Sequence, residues 1–145
     1  MGFRKELQIK TSVKVYSYDE LEPEMVSLVD TAKKMTQNAY CPYSGFRVGA
    51  AALLANGQVV TGANQENAAY PSGMCAERVT LFAANANYPD TPVLALALAC
   101  YTKGHFTHDV SSPCGACRQV MLETEHRFGK PMKVILYCEE GCYVV

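Results

Sequence analysis

Three cysteines and one glutamate stand at spacings that could do hydrolytic chemistry. Cys75 precedes Glu77 by two residues in Cys75-Ala76-Glu77-Arg78, and Pro113-Cys114-Gly115-Ala116-Cys117 follows about forty residues later. Zinc favours four tetrahedral ligands, so three thiolates hold an ion and leave one position for water, which separates a catalytic site from a closed structural one. Glu77 is close enough in sequence to lie beside such an ion without ligating it, where it would take a proton from water and return it to a substrate.

Cys114 and Cys117 are three apart, so at the start of a helix their sulfurs project to the same side, and Pro113 suits the entrance to that helix. Cys75 is expected at the start of a second helix. A helix N-terminus favours thiolate over thiol, so two such ends can converge on one ion. Three thiolates leave zinc with a formal charge of minus one, which weakens it as a Lewis acid; Arg78 is placed to donate hydrogen bonds to the thiolates and restore some acidity. The competing reading is a closed structural zinc site with Cys41, Cys100, Cys138, Cys142, His105, His108 or His126 as fourth ligand, or a set of buried thiols. His105-Phe106-Thr107-His108 has the form of a second metal pair, but it falls in a loop with no third ligand near in sequence.

The elements that must position these residues follow from periodicity. Leu7, Ile9, Val13 and Val15 alternate with polar residues, a strand period that makes residues 1–17 an N-terminal β arm. Asp19 is the expected cap of a helix through Leu21, Met25, Leu28, Val29, Ala32 and Met35 that ends near Asn38, with Pro23 tolerated in its first turn. Tyr40 to Gly45 reads as a turn. It leads into strands from Phe46 to Leu54 and from Gln58 to Ala63, joined by the hairpin signal Asn56-Gly57. Helices are expected from Cys75 to Asn85 and from Cys114 to Phe128. Val93 to Cys100 is an unbroken apolar run suited to a strand buried on both faces, Lys133 to Cys138 is another strand, and Gly141 to Val145 begins a further one. The order predicts an α/β fold, a three-layer α/β/α sandwich with a mixed central sheet of about five strands, as one domain over residues 1–145.

Composition narrows the function. The 145 residues are 49% hydrophobic, enough for one continuous core, and 13 basic residues against 14 acidic ones offer no basic stripe for a nucleic-acid backbone. A small neutral ligand is the expected partner, with no nucleic acid and no membrane. Seven cysteines without a signal-peptide pattern point to the reducing cytoplasm, where Cys-x-x-Cys binds metal more often than it forms a disulfide.

Four ordered blocks carry a resemblance. They are Tyr40-Cys41-Pro42-Tyr43-Ser44-Gly45-Phe46-Arg47-Val48-Gly49-Ala50-Ala51, Asn64-Gln65-Glu66-Asn67-Ala68-Ala69-Tyr70-Pro71, Cys75-Ala76-Glu77-Arg78, and Ser112-Pro113-Cys114-Gly115-Ala116-Cys117-Arg118-Gln119-Val120. Between Met25 and Cys138 the chain resembles the small, single-domain cytidine deaminases. The resemblance implies one zinc ion per subunit on Cys75, Cys114 and Cys117, Glu77 as proton carrier, and conversion of cytidine and 2'-deoxycytidine to uridine and 2'-deoxyuridine in pyrimidine salvage. It also implies that Asn64 and Glu66 bind the ribose, that Phe46 packs on the pyrimidine ring, that Tyr70 lies near subunit contacts completing the site, and that the Ala76 backbone holds the base. Read without it, Asn64 and Glu66 are turn residues and Phe46 is core. A homotetramer, or a homodimer, is the implied assembly. The family's usual C-terminal helix is absent after Val145, so a catalytically impaired structural zinc protein is one alternative; a deaminase of a nucleoside-like antibiotic such as blasticidin S is the other.

Overall fold

The computed structural model describes Gly2 and residues 4–145. Its strands are β1 (Lys14–Tyr16), β2 (Arg47–Leu54), β3 (Val59–Ala63), β4 (Val93–Thr102), β5 (His105–Phe106), β6 (Lys133–Cys138) and β7 (Gly141–Val144), and its α-helices are α1 (Pro23–Met35), α2 (Ala76–Asn87) and α3 (Gly115–Phe128). They form one seven-stranded sheet in the order β1-β7-β6-β4-β2-β3, with β5 paired to β4. Among the described residues, β4 and β6 are the one parallel pair of strands and the other pairs are antiparallel, so the sheet is mixed as expected. Beyond the expected five, β1 is the end of the expected N-terminal arm, and β5, of two residues, is the one strand without a counterpart among the expected elements. A segment that short displays no period in a sequence.

Alternation along β2 and β4 divides the core between the two faces of the sheet. Met25, Leu28, Val29 and Ala32 of α1 pack on Ala51, Leu53, Ala95, Ala97, Ala99 and Ile135. On the opposite face, Leu81 and Ala84 of α2 and Met121 of α3 pack on Ala50, Ala52, Leu54, Leu96 and Leu98. β4 is therefore covered on both sides, which is why its sequence reads as continuous apolar residues. Small residues in β2 let α1 approach closely: a Cβ on Gly49 would lie 2.1 Å from the Ala32 carbonyl oxygen.

Two boundaries differ from the expectation. The strand period over Leu7 to Val15 ends in a ladder only at Lys14–Tyr16, because β7 offers it partners only from Cys142 to Val144. Leu7 and Ile9 are exposed; Met1 and Phe3 of the expected arm lie outside the described residues. Asp19 does not cap α1 but lies in a 3-10 turn, Tyr18–Glu20, where the Glu20 carboxylate accepts from the Ser17 N–H and hydroxyl, both at 2.8 Å. Pro23 opens α1 instead and holds Glu22 before it in extended backbone, ψ 142. At the other end the chain stays helical to Asn38 by a 3-10 turn, Thr36–Asn38. Among the described residues, no helix is long and apolar enough to cross a membrane.

Candidate active site

Cys75 and Cys114 are the cap residues of α2 and α3, each in extended backbone (φ -73, ψ 152 and φ -67, ψ 167). The Cys75 thiol makes no cap hydrogen bond to its own helix, and the Cys75 and Cys114 sulfurs face each other across the gap between the helix starts. Cys117 lies in the first turn of α3 and is fully buried. The Cys75 and Cys114 sulfurs are 4.0 Å apart, those of Cys114 and Cys117 are 3.4 Å apart, and all three lie within 4.8 Å of one another. Among the described residues, no other group of three metal-ligating side chains converges in this way. The histidines of the 105–108 segment pair instead with neighbouring acids, His105 with Glu139 at 3.9 Å and His108 with Glu140 at 3.1 Å.

The surroundings of the sulfurs are electrostatically divided. Backbone N–H groups of Cys117 and Ala116, with the neighbouring thiols, hold Cys114 below the usual thiol range against some desolvation, as a helix N-terminus should. Cys117 is driven the other way, first by burial and then by the negative charge of Glu77. Arg78 donates from Nη2 to the Cys75 sulfur at 3.7 Å, and its Nε–H is buried without a partner. Glu77 is buried, at 6% exposure, in the same corner.

The corner opens into a cavity of about 750 Å³, a size suited to a small ligand. Phe46, Asn64, Glu66, Tyr70, Cys75, Glu77, Arg78 and Cys114 all line it. Ala76 is fully buried as the first residue of α2 and is not among the lining residues. Tyr70 stands at the rim, 80% exposed, and Phe46 is half-buried just before β2.

Asn64 and Glu66 follow the end of β3 two residues apart and face the same cavity, yet each is also tied to the backbone. The Asn64 amide donates to the Phe46 carbonyl at 2.9 Å and accepts from the Val48 N–H at 2.7 Å. Glu66 accepts from the N–H groups of Tyr43 and Ser44 at 2.9 and 3.3 Å and from the Ser44 hydroxyl at 2.5 Å. These donors, the Ser44 hydroxyl foremost, hold its carboxyl below the usual range. Turn chemistry and ligand-facing position thus coexist in the same two side chains.

Tyr43, Ser44 and Ser111 also line the cavity without having been marked as site residues, as does Cys100, which the sequence offered only as a candidate fourth ligand and which is not in the three-thiol group. Cys100 lies in the apolar run of β4, where nothing separates it from core; burial pushes its thiol up to about 11, against the hydrogen bond from Ser111. Ser44 carried a weak signal, a Ser-Gly pair inside a turn.

A family model described as the cytidine and deoxycytidylate deaminase zinc-binding region matches residues 24–130. The chain belongs to this family. A cytidine deaminase of Halalkalibacterium halodurans is 46% identical over 96 residues, covering 66% of this chain and 68% of that relative. One from Mycobacterium tuberculosis is 47% identical over 92 residues, covering 63% and 65%. Among solved structures, the cytidine deaminase of Burkholderia pseudomallei superposes with a TM-score of 0.70 at 41% identity, over 82% of this chain and 89% of that one. The Mycobacterium tuberculosis cytidine deaminase structure gives 0.63 at 35% identity, over 78% and 85%.

The deaminase family's zinc-binding region spans the three thiols, and their geometry suits a metal ion. Sulfurs each about 2.3 Å from a tetrahedral zinc lie roughly 3.8 Å apart, close to the separations of 4.0 and 3.4 Å. Burial first, and then the charge of Glu77, oppose a thiolate at Cys117, and a divalent cation would offset both.

Proposed function

We propose that this deaminase hydrolyses cytidine and 2'-deoxycytidine to uridine and 2'-deoxyuridine, with one zinc ion per subunit. The observation that carries the reading is the meeting, in one cavity, of a three-thiol corner with a buried unligated carboxylate and, opposite, Asn64, Glu66 and Phe46.

Zinc held by Cys75, Cys114 and Cys117 would supply the Lewis acidity that makes a water nucleophilic near neutral pH. Glu77 carries the protons: from the attacking water to the pyrimidine ring nitrogen, and then to the departing amine, which leaves as ammonia when its bond to the ring carbon breaks. Arg78 donates to the Cys75 sulfur and draws charge from the thiolates. Phe46 covers the pyrimidine face, the Ala76 backbone at the start of α2 holds the base, and Asn64 and Glu66 take the sugar hydroxyls with the capacity their backbone contacts leave free. The exposed Tyr70 suits a rim covered by a neighbouring chain, and we propose a homotetramer.

The test is ultraviolet spectroscopy of zinc-loaded protein of known native mass, incubated with cytidine, 2'-deoxycytidine and a blasticidin-type nucleoside. Uridine formation is expected. Folded, zinc-loaded protein that makes none, or that turns over only the antibiotic, overturns the reading.

A further inference from the structure

The hydrogen bonds that fix Phe46 run through a residue with no role so far. Both backbone polar groups of Phe46 are held by side chains: its carbonyl accepts from Asn64, and its N–H donates to the Ser44 hydroxyl oxygen at 3.0 Å. That hydroxyl gives its own proton to Glu66 at 2.5 Å. A hydroxyl has one proton and two lone pairs, so donating to Glu66 leaves a lone pair for the Phe46 N–H. Gly45 between them, at φ +65, adds no side chain to stiffen the turn. Among the described residues, Ser44 is the only side chain hydrogen-bonded both to Glu66 and to the Phe46 backbone.

Glu66 is nearly saturated by this arrangement. A carboxylate offers about four acceptor sites, and three donors already use it. A sugar hydroxyl takes the remaining one and meets a carboxylate whose direction the turn has set.

We infer that Ser44 is a positioning residue for the proposed deamination, coupling Glu66 at the sugar to Phe46 at the base so that the two recognise a nucleoside as one hydrogen-bonded unit. The inference rests on the cytidine reading above. It concerns binding and not the proton transfers, since Ser44 belongs to the turn while Glu77 stands on α2.

The experiment compares wild type with Ser44→Ala, Ser44→Thr, Glu66→Gln and the double variant Ser44→Ala/Glu66→Gln. It reads cytidine kinetics, calorimetric binding of the product uridine, and the Phe46 amide resonance. Ser44→Ala is expected to raise KM and weaken uridine binding by about tenfold, the worth of a hydrogen bond to a charged group, while kcat changes less than about twofold. Ser44→Thr restores wild-type values, the double variant costs less than the two singles combined, and the Phe46 resonance moves in Ser44→Ala. Active wild type with an unchanged Ser44→Ala KM, or a Ser44→Ala loss confined to kcat, overturns this inference alone. Failure of Ser44→Thr to restore binding overturns it as well. Wild type that neither converts cytidine nor binds uridine overturns the cytidine reading and this inference together.

Discussion

At one end of the cavity the proposed metal ligands and proton carrier stand at the starts of two helices, and at the other the proposed ligand-binding side chains stand on a turn and a strand exit. The thiol corner is backed by core: Cys117 is fully buried and Glu77 nearly so, and α2 and α3 pack directly on the sheet. The opposite end is held by polar contacts between segments 16 to 23 residues apart in sequence, with Glu66 and Asn64 gripping backbone. Rigid placement at the first end suits bond making. The second end, held by hydrogen bonds to backbone, would suit recognition, so changes at the two ends should separate into rate and affinity.

The largest effect is expected at the corner itself. Cys117→Ala should lose zinc, measured by elemental mass spectrometry, and all detectable turnover, and chelation of wild type should do the same until zinc is returned. Retention of full zinc would break the assignment of that thiol. Glu77→Gln should lower kcat by roughly 10²- to 10⁴-fold with zinc content unchanged, because a proton carrier goes and a ligand does not; parallel loss of metal would contradict the division between them.

At the recognition end, Asn64→Ala leaves the Val48 N–H and the Phe46 carbonyl without their side-chain partner. Steady-state kinetics should show kcat/KM reduced by about 10- to 100-fold, mostly through KM. A loss confined to kcat would erase the contrast between the two ends.

The smallest effect is electrostatic. Glu66 has a folded pKa depressed chiefly by the Ser44 hydroxyl, so its contribution to stability is present above the unfolded value of about 4.3 and is lost as pH falls through the lower folded value. Carboxyl NMR should show the Glu66 titration in Ser44→Ala moved upward, toward the ordinary carboxylate range. No movement would mean that the backbone donors alone set it.

The same contrast explains what could be read in advance. Cys75, Glu77, Cys114 and Cys117 are legible because helix geometry converts short spacings into common direction, and both helices begin at the cysteines that the spacing marked. β4 is legible because burial on both faces leaves no polar position. Ser44 is not, since its partner Glu66 lies 22 residues away and only the folded turn brings the two together. Cys100 is hidden by the very run that revealed its strand. The arm failed differently: Leu7 to Val15 has the right period, but a strand needs a partner, and β7 meets it only at Lys14–Tyr16.

The cap positions of Cys75 and Cys114 also bear on chain entropy. The two residues are 39 apart in sequence, so an ion shared by their sulfurs closes a loop that includes all of α2 and β4. By the loop-closure relation used for disulfides, a cross-link of that span removes about 4 kcal/mol of freedom from the unfolded chain. An ion bound for its reactivity would therefore also act as a reversible staple, made without oxidation and opened by a chelator.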